Sequence, residues 1–361
     1  MQHTVCDGTG VYIFSTAFSK NVAAACRGEP APQTPKATIS FLERESIVAA
    51  HAGVKVNEFE NWKPVSGDGS FLNPTCFEAE KYPPVKYATY FISEQKAQEL
   101  RQRLALKDGK KASSIEAVGA FLWMHTVRSR EIDLERYPEA KLSVTVDARV
   151  RMQSKPVCAM YWGNFSEPNA VARIPTKMLV DKADEASASA EAVTPHKDLS
   201  PAALESLYDR TGAACPATIP APASDDVSWN ITLPEASRRI RKAIAAVDDT
   251  AVRRLVGLLQ QMDKCTSLTW NVDRWPGPDM LIVCLNNTRF NDLDFGPQLG
   301  CSEAFRFTVG DTEGKPDGRC LILPPRKRDG RGLEVMLQYD IETLGRLERS
   351  KEFGEFFERR N

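Results

Sequence analysis

Met1-Gln2-His3-Thr4-Val5-Cys6-Asp7-Gly8-Thr9-Gly10 opens the chain. Its H-x-x-x-D-G core sets an imidazole, a carboxylate four residues on and a glycine directly after it. The imidazole is a proton acceptor with an ordinary pKa of about 6.5, the carboxylate can fix the loop, and the glycine lets the backbone turn sharply. That is the equipment of a general base. A catalytic group needs support on both sides, and chain ends fray, so the position of the motif is as informative as its residues. Read instead as two ligands four apart on a helix, His3 and Asp7 could hold a metal. Gly8 and Gly10 disfavour a helix there and no third ligand cluster presents itself, so no metal is expected.

The 361 residues exceed the usual single-core domain, which points to two domains or one large pseudo-symmetric pair. With 42% hydrophobic residues, 26% charged residues and a formal net charge of -1, the composition is that of a globular protein without the positive excess of a nucleic-acid binder. No apolar run is long enough to span a membrane and no basic-then-apolar leader opens the chain, so a cytoplasmic protein is expected. Nine scattered cysteines (Cys6, Cys26, Cys76, Cys158, Cys215, Cys265, Cys284, Cys301 and Cys320) contain no C-x-x-C pair. Reduced, mostly buried thiols are expected.

Outward from the opening motif, Val11 to Cys26 suits a helix starting near Thr9 or Gly10 and ending at Arg27-Gly28. The stretch from Lys63 to Pro84 is rich in proline and glycine and reads as a connecting loop. Tyr87 to Ile92 then suits a strand, Ser93 an N-cap, and Glu94 to Leu106 an amphipathic helix. A second helix follows Ser113 or Ser114; within it His125 reads as a core histidine. Leu142 to Arg151 alternates as a strand would, projecting Asp147, Arg149 and Arg151 to one face, where they either meet acidic partners or line a solvated edge. Tyr161-Trp162-Gly163-Asn164-Phe165 sets aromatic residues around a glycine that allows close backbone approach. One long helix is predicted from Pro234 to about Met262, its basic cluster Arg238, Arg239, Arg241 and Lys242 forming a solvated face. Met280 to Leu285 is a continuous apolar run, hence a buried strand, leading into Asn287, Thr288 and Asp294-Phe295-Gly296. Strands are predicted at 305–309, 319–323 and 333–339, with a basic hairpin tip at Arg326 to Arg328 and a closing amphipathic helix from Ile341.

Asp294-Phe295-Gly296 and His196-Lys197-Asp198-Leu199 imitate protein-kinase motifs, but Ala203 stands where a kinase has asparagine and no glycine-rich phosphate loop exists. No G-x-S-x-G supports a serine hydrolase. In order and spacing, His3 to Gly8, Arg27-Gly28, Ser114 to Trp123, Asp147-Ala148-Arg149-Val150-Arg151, Trp162-Gly163-Asn164 and Asn287 to Gly296 together resemble the BAHD acyltransferases. The C-terminal layout is similar to the fungal branch that includes trichothecene 3-O-acetyltransferases. Two departures stand out: the family's D-F-G-W-G appears here as Asp294-Phe295-Gly296-Pro297-Gln298, and family members carry a substantial segment before the histidine, whereas this chain begins two residues before it.

The resemblance implies an α/β fold of two chloramphenicol-acetyltransferase-like domains, the first N-terminally truncated. Residues 1–62 would be the remainder of the N-terminal domain, 63–86 a crossover loop and 87–361 the C-terminal domain. It further implies acyl-CoA, acetyl-CoA by default, as co-substrate, with no metal and with a small-molecule hydroxyl as acceptor. No nucleic acid or membrane partner is implied, and a monomer is what the resemblance implies. His3 would be the base. Asp7 would point away from the substrate and pair with Arg149 or Arg151 to hold the loop; Gly8, Asp294 and Gly296 would be structural. Asn287, Thr288, Gly163 and Asn164 would lie near the cofactor. The rival expectation is a truncated, non-catalytic remnant or a shell that binds CoA without turnover; a peptide-synthetase condensation domain shares the H-x-x-x-D-G but not the D-F-G.

Overall fold

The computed structural model of the chain describes residues 6–32, 50–64, 83–104, 111–153, 161–181, 228–262, 268–306 and 317–360. His3, the kinase-like His196 to Leu199, most of the connecting loop and most of the strand expected at 305–309 lie outside them.

The architecture is mixed α/β around one seven-stranded sheet. In chain order the elements are α1 (Gly8–Arg27), β1 (Trp62–Pro64), β2 (Val85–Ser93), α2 (Glu94–Arg103), α3 (Ser114–Arg128), β3 (Glu139–Asp147), β4 (Ser166–Pro175), α4 (Thr176–Val180), α5 (Leu233–Ala246), α6 (Asp249–Gln260), β5 (Leu268–Trp270), β6 (Met280–Cys284), β7 (Arg319–Leu323), β8 (Gly332–Asp340), α7 (Ile341–Arg349), α8 (Lys351–Phe356) and β9 (Glu358–Arg359). The large sheet runs β4-β3-β6-β7-β8-β2-β9, and β1 pairs with β5 in a separate two-stranded ribbon.

The centre of the sheet follows from its sequence. β6 is parallel to both β3 and β7 and sits between them, so both of its edges are paired, and its run Met280-Leu281-Ile282 is buried throughout. Toward one edge the pairing becomes antiparallel: β8 lies against β2 over nine residue pairs, from Val85 opposite Asp340 to Ser93 opposite Gly332. Alternation then sorts side chains between faces. On β7, Cys320 and Ile322 join the main core with Val335 and Leu337 of β8, while Leu321, Leu323 and Met336 join Leu285 in a second, smaller cluster. The helical layer covers the main core, and α3 is buried along twelve of its fifteen residues. Its His125 packs on Phe121, ring centroids 4.1 Å apart, with Nε2 3.5 Å from a Glu352 oxygen, which is the environment of a core histidine.

Two expected elements are cut short by aspartates. The strand beginning at Leu142 does not reach Arg151: it ends at Asp147, whose carboxylate accepts the N–H of Arg149 at 3.0 Å and turns the chain into a 3₁₀ helix over Ala148–Arg151. Arg149 and Arg151 therefore do not stand on a strand face. The helix from Pro234 also breaks, because Asp248 accepts the N–H of Ala251 and caps a new start, giving α5 and α6. On α5, Arg238 and Arg239 pair with Glu235, and Arg241 reaches across to Glu116 of α3. The basic cluster is thus partly a packing device and not wholly a solvated face.

The described cysteines, Cys6, Cys26, Cys284, Cys301 and Cys320, are all free thiols. Only Cys6 and Cys320 are buried, and Cys301 is exposed. Among the described residues no helix is long and apolar enough to cross a membrane.

Candidate active site

The described chain begins at Cys6 and enters α1 through Asp7. Asp7 is the N-cap: one carboxylate oxygen accepts the N–H of Gly10 at 2.9 Å. The helix therefore begins at Gly8, one to two residues earlier than its two glycines suggest by propensity. The far end closes at Gly28, in the left-handed region at φ 68°.

Asp7 is nearly inaccessible, 2% exposed, and accepts from five donors. Besides Gly10, these are Arg149 Nη1 (3.0 Å) and Nη2 (3.1 Å), the N–H of Phe165 (2.7 Å) and the Ser166 hydroxyl (3.1 Å). Of the two arginines the sequence offered, Arg149 makes the ion pair. Its guanidinium uses all five N–H groups. Nε donates to the Tyr161 carbonyl, Nη1 to Asp7 and to Asp147 (2.9 Å), and Nη2 to Asp7 and to the Gly163 carbonyl. A carboxylate met by a planar fork in two parallel bonds is the strong form of this interaction. Burial alone would push the Asp7 carboxyl up; the bonds and charge of Arg149, with the N–H groups of Gly10 and Phe165, outweigh it and hold the pKa below the ordinary carboxylate range.

The glycines explain how α1 comes so close. A Cβ on Gly10 would stand 2.0 Å from the carbonyl oxygen of Trp162 and 2.7 Å from Cys6 Cβ. Backbone on one side and the loop on the other leave nowhere to move. Gly10→Ala is therefore expected to destabilise the chain by about 1–3 kcal/mol through overpacking, read as a lower Tm in a thermal melt. An unchanged Tm would mean that residues 161–163 withdraw freely.

The remaining candidates divide into two places. Leu285, at the end of β6, packs against Gly8, and the turn that follows carries Asn287, exposed, and Thr288, whose hydroxyl and N–H both donate to the Leu285 carbonyl. Gly163 is buried and serves Arg149 through its carbonyl, while Asn164 is exposed. Arg151 is half-buried at the end of the 3₁₀ turn and is not the partner of Asp7. Asp294 and Gly296 lie elsewhere. Gly296, at φ 92°, abuts Ala23 and Cys26 near the end of α1, sixteen residues and so about 24 Å of helix from Asp7. There the Asp294 carboxylate accepts the N–H of Gly296, and Phe295 meets Phe18 edge-on at 6.3 Å. The D-F-G thus docks the far end of the same helix. A groove of about 460 Å³ runs along α1 between the two ends, lined among others by Tyr12, Lys20, Arg27, Arg289 and Asp292. None of Asp7, Arg149, Asn287 and Thr288 lines it.

Sequence reading missed Asp147 and Thr9, which bond to each other at 3.0 Å, and the Phe165 and Ser166 donors to Asp7. Asp147 was visible as the residue two before Arg149, though read as one of a row on a strand. No group of three or more His, Cys, Asp or Glu side chains among the described residues is arranged to hold a metal ion.

Residues 1–192 match the Transferase family. Acyltransferase easC of Emericella nidulans and acyltransferase cm3D of Cordyceps militaris are each 24% identical over 99% of this chain. The chain spans 65% of the length of either relative. Among solved structures, F. graminearum TRI101 in complex with coenzyme A and deoxynivalenol aligns over 98% of this chain and 65% of its own, with 17% identity and a TM-score of 0.68. Vinorine synthase aligns over 98% and 60%, with 16% identity and a TM-score of 0.53. At these identities what is shared is the fold.

Proposed function

From a chain that belongs to the Transferase family of BAHD-type acyltransferases, we propose an acyl-CoA-dependent O-acyltransferase that uses His3 as general base. The observation that carries the reading is the anchorage of Asp7: a five-donor, fully engaged carboxylate with no capacity left for chemistry, in a motif whose histidine comes four residues earlier in the sequence. An aspartate committed to structure leaves the imidazole of the same sequence motif as the group for proton transfer, the division of labour this chemistry needs.

In the proposed step His3 takes the proton from an acceptor hydroxyl as that oxygen attacks the thioester carbonyl carbon. The tetrahedral intermediate then collapses, the C–S bond breaks, and the thiolate of CoA takes the proton back from the imidazole. No acyl-enzyme forms. Asn287, exposed on the turn after β6, is proposed to face the thioester, and Asn164 the CoA. Thr288 and Gly163 are proposed to shape those segments, since the hydroxyl of one and the carbonyl of the other are already engaged. The acyl group is proposed to be acetyl and the acceptor a small hydroxylated metabolite. TRI101 was solved with deoxynivalenol and with T-2 bound beside coenzyme A, which favours a compact polycyclic alcohol among acceptors to try first.

The chain, incubated with acetyl-CoA and hydroxylated small molecules of that kind, is expected to release free CoA thiol in step with formation of an acetyl ester. Thiol release without ester, or CoA binding without release, would replace this reading by that of a shell that holds CoA without transfer.

A further inference from the structure

We propose that the arginine cluster beneath the β7–β8 turn binds a small oxyanion that carries a proton, with the chemistry of orthophosphate. Its floor is Glu334 of β8, flanked across the sheet by Phe91 of β2 and Leu323 of β7 and 0% exposed. Arg306 Nη2 donates to Glu334 Oε2 at 2.6 Å, and Arg326 Nη2 stands 3.8 Å from Oε1. The second carboxylate is Asp329, in the 3₁₀ turn Lys327–Asp329, with Arg360 Nη2 3.9 Å from its Oδ1. Arg360 lies over the Phe91 ring, 4.7 Å from its centroid, and also meets the exposed Glu358 at 3.4 Å. Two of these ion pairs, Arg326 with Glu334 and Arg360 with Asp329, are therefore longer than a hydrogen bond. Four buried atoms of the same residues make no hydrogen bond: Arg326 Nε, Arg360 Nε, Glu334 Oε1 and Asp329 Oδ2. Buried polar atoms are nearly always paired, so four orphans in one cluster call for a ligand. The charges do not close either, since three guanidiniums face two buried carboxylates. Burial and the charge of Arg326 hold the Arg306 pKa below its ordinary value, against the pull of Glu334 and Asp329. The arginine side chains are 25–30% exposed, which gives a small ion its way in. The orphans then define the ligand: two N–H groups and a surplus positive charge ask for an anion, while two carboxylate oxygens ask for a donor. Phosphate at neutral pH supplies both through its P–O oxygens and its P–OH; sulfate has no proton to give.

The test titrates the full chain with sodium phosphate and, separately, with sodium sulfate at matched ionic strength and neutral pH, following the heat of binding and Tm. Phosphate is expected to bind and to raise Tm, as a ligand of the folded state does; sulfate is expected to do neither. Arg326→Gln should weaken phosphate binding about tenfold, the worth of one charge-assisted hydrogen bond. Lys327→Gln, on the exposed side of the same turn, should leave it unchanged. Absence of phosphate binding overturns the proposal and leaves the orphaned atoms to ordered water. Equal binding of sulfate overturns it too, because no proton would then be given to Glu334 or Asp329. An equal loss in Lys327→Gln would assign the binding to the general charge of the turn and would also overturn it. Should Arg326→Gln fail to fold, the comparison of phosphate with sulfate on the wild-type chain decides alone.

Discussion

His3→Ala is expected to lower kcat/KM for acyl transfer by about 10² to 10⁴-fold, the usual worth of a positioned general base, while leaving Tm unchanged. The two halves of that expectation have different sources. The loss in rate follows from chemistry: an alcohol is a poor nucleophile until its proton has somewhere to go, and within H-x-x-x-D-G only the imidazole accepts one near neutral pH. Asp7 cannot substitute for it, because five donors already occupy its oxygens. The unchanged Tm is expected because the contacts that anchor the start of α1 belong to Asp7, Arg149, Phe165 and Ser166. Any rise of the wild-type rate with pH that reports loss of the imidazole proton should vanish in the variant. An undiminished rate would remove the base assignment and leave the fold untouched.

How much of this was legible in the sequence depends on whether the governing interaction is local. β6 was readable because Met280 to Cys284 is apolar at every position, as a strand covered on both faces must be. Ser93 and Ser113 were readable as caps because a cap acts within three residues of itself. The end of β3 was not, although its cause is equally local: periodicity counted Asp147, Arg149 and Arg151 as a row, whereas the Asp147 side chain competes for the Arg149 N–H and breaks the strand. The same bias merged α5 with α6 across Asp248. For the site, residue types could be named but not their geometry. Which arginine meets Asp7 is decided by that 3₁₀ turn, and the need for Gly10 by a carbonyl about 150 residues away at Trp162. The D-F-G was expected to be structural at the site; that it abuts the end of α1 opposite Asp7 required the fold.

Asp7→Asn is expected to remove activity and stability together, and this joint loss separates an anchoring aspartate from a catalytic one. The amide keeps the size of the carboxylate but replaces one acceptor oxygen by an NH₂. Turned one way, that group confronts Gly10 N–H and Arg149 Nη2; turned the other, it confronts Arg149 Nη1, Phe165 N–H and the Ser166 hydroxyl. Neither rotamer satisfies the site, and Arg149, 5% exposed, loses half of its charge compensation. Breaking one side of a buried pair typically costs about 3–5 kcal/mol, which should appear as a fall of several degrees in Tm beside the loss of acyl transfer. Asp147 still faces Arg149 and limits the damage to this range. The pH dependence has a definite sign. Because the folded-state pKa of Asp7 lies below its unfolded value, the group's contribution is fully present above about pH 4 and is lost as pH falls through the folded pKa. Wild type should therefore lose stability in acid more steeply than Asp7→Asn, and the two melting curves should converge toward low pH. A variant with wild-type Tm at neutral pH but no activity would instead put the carboxylate in the chemistry, and would move the base assignment from His3 alone to the pair.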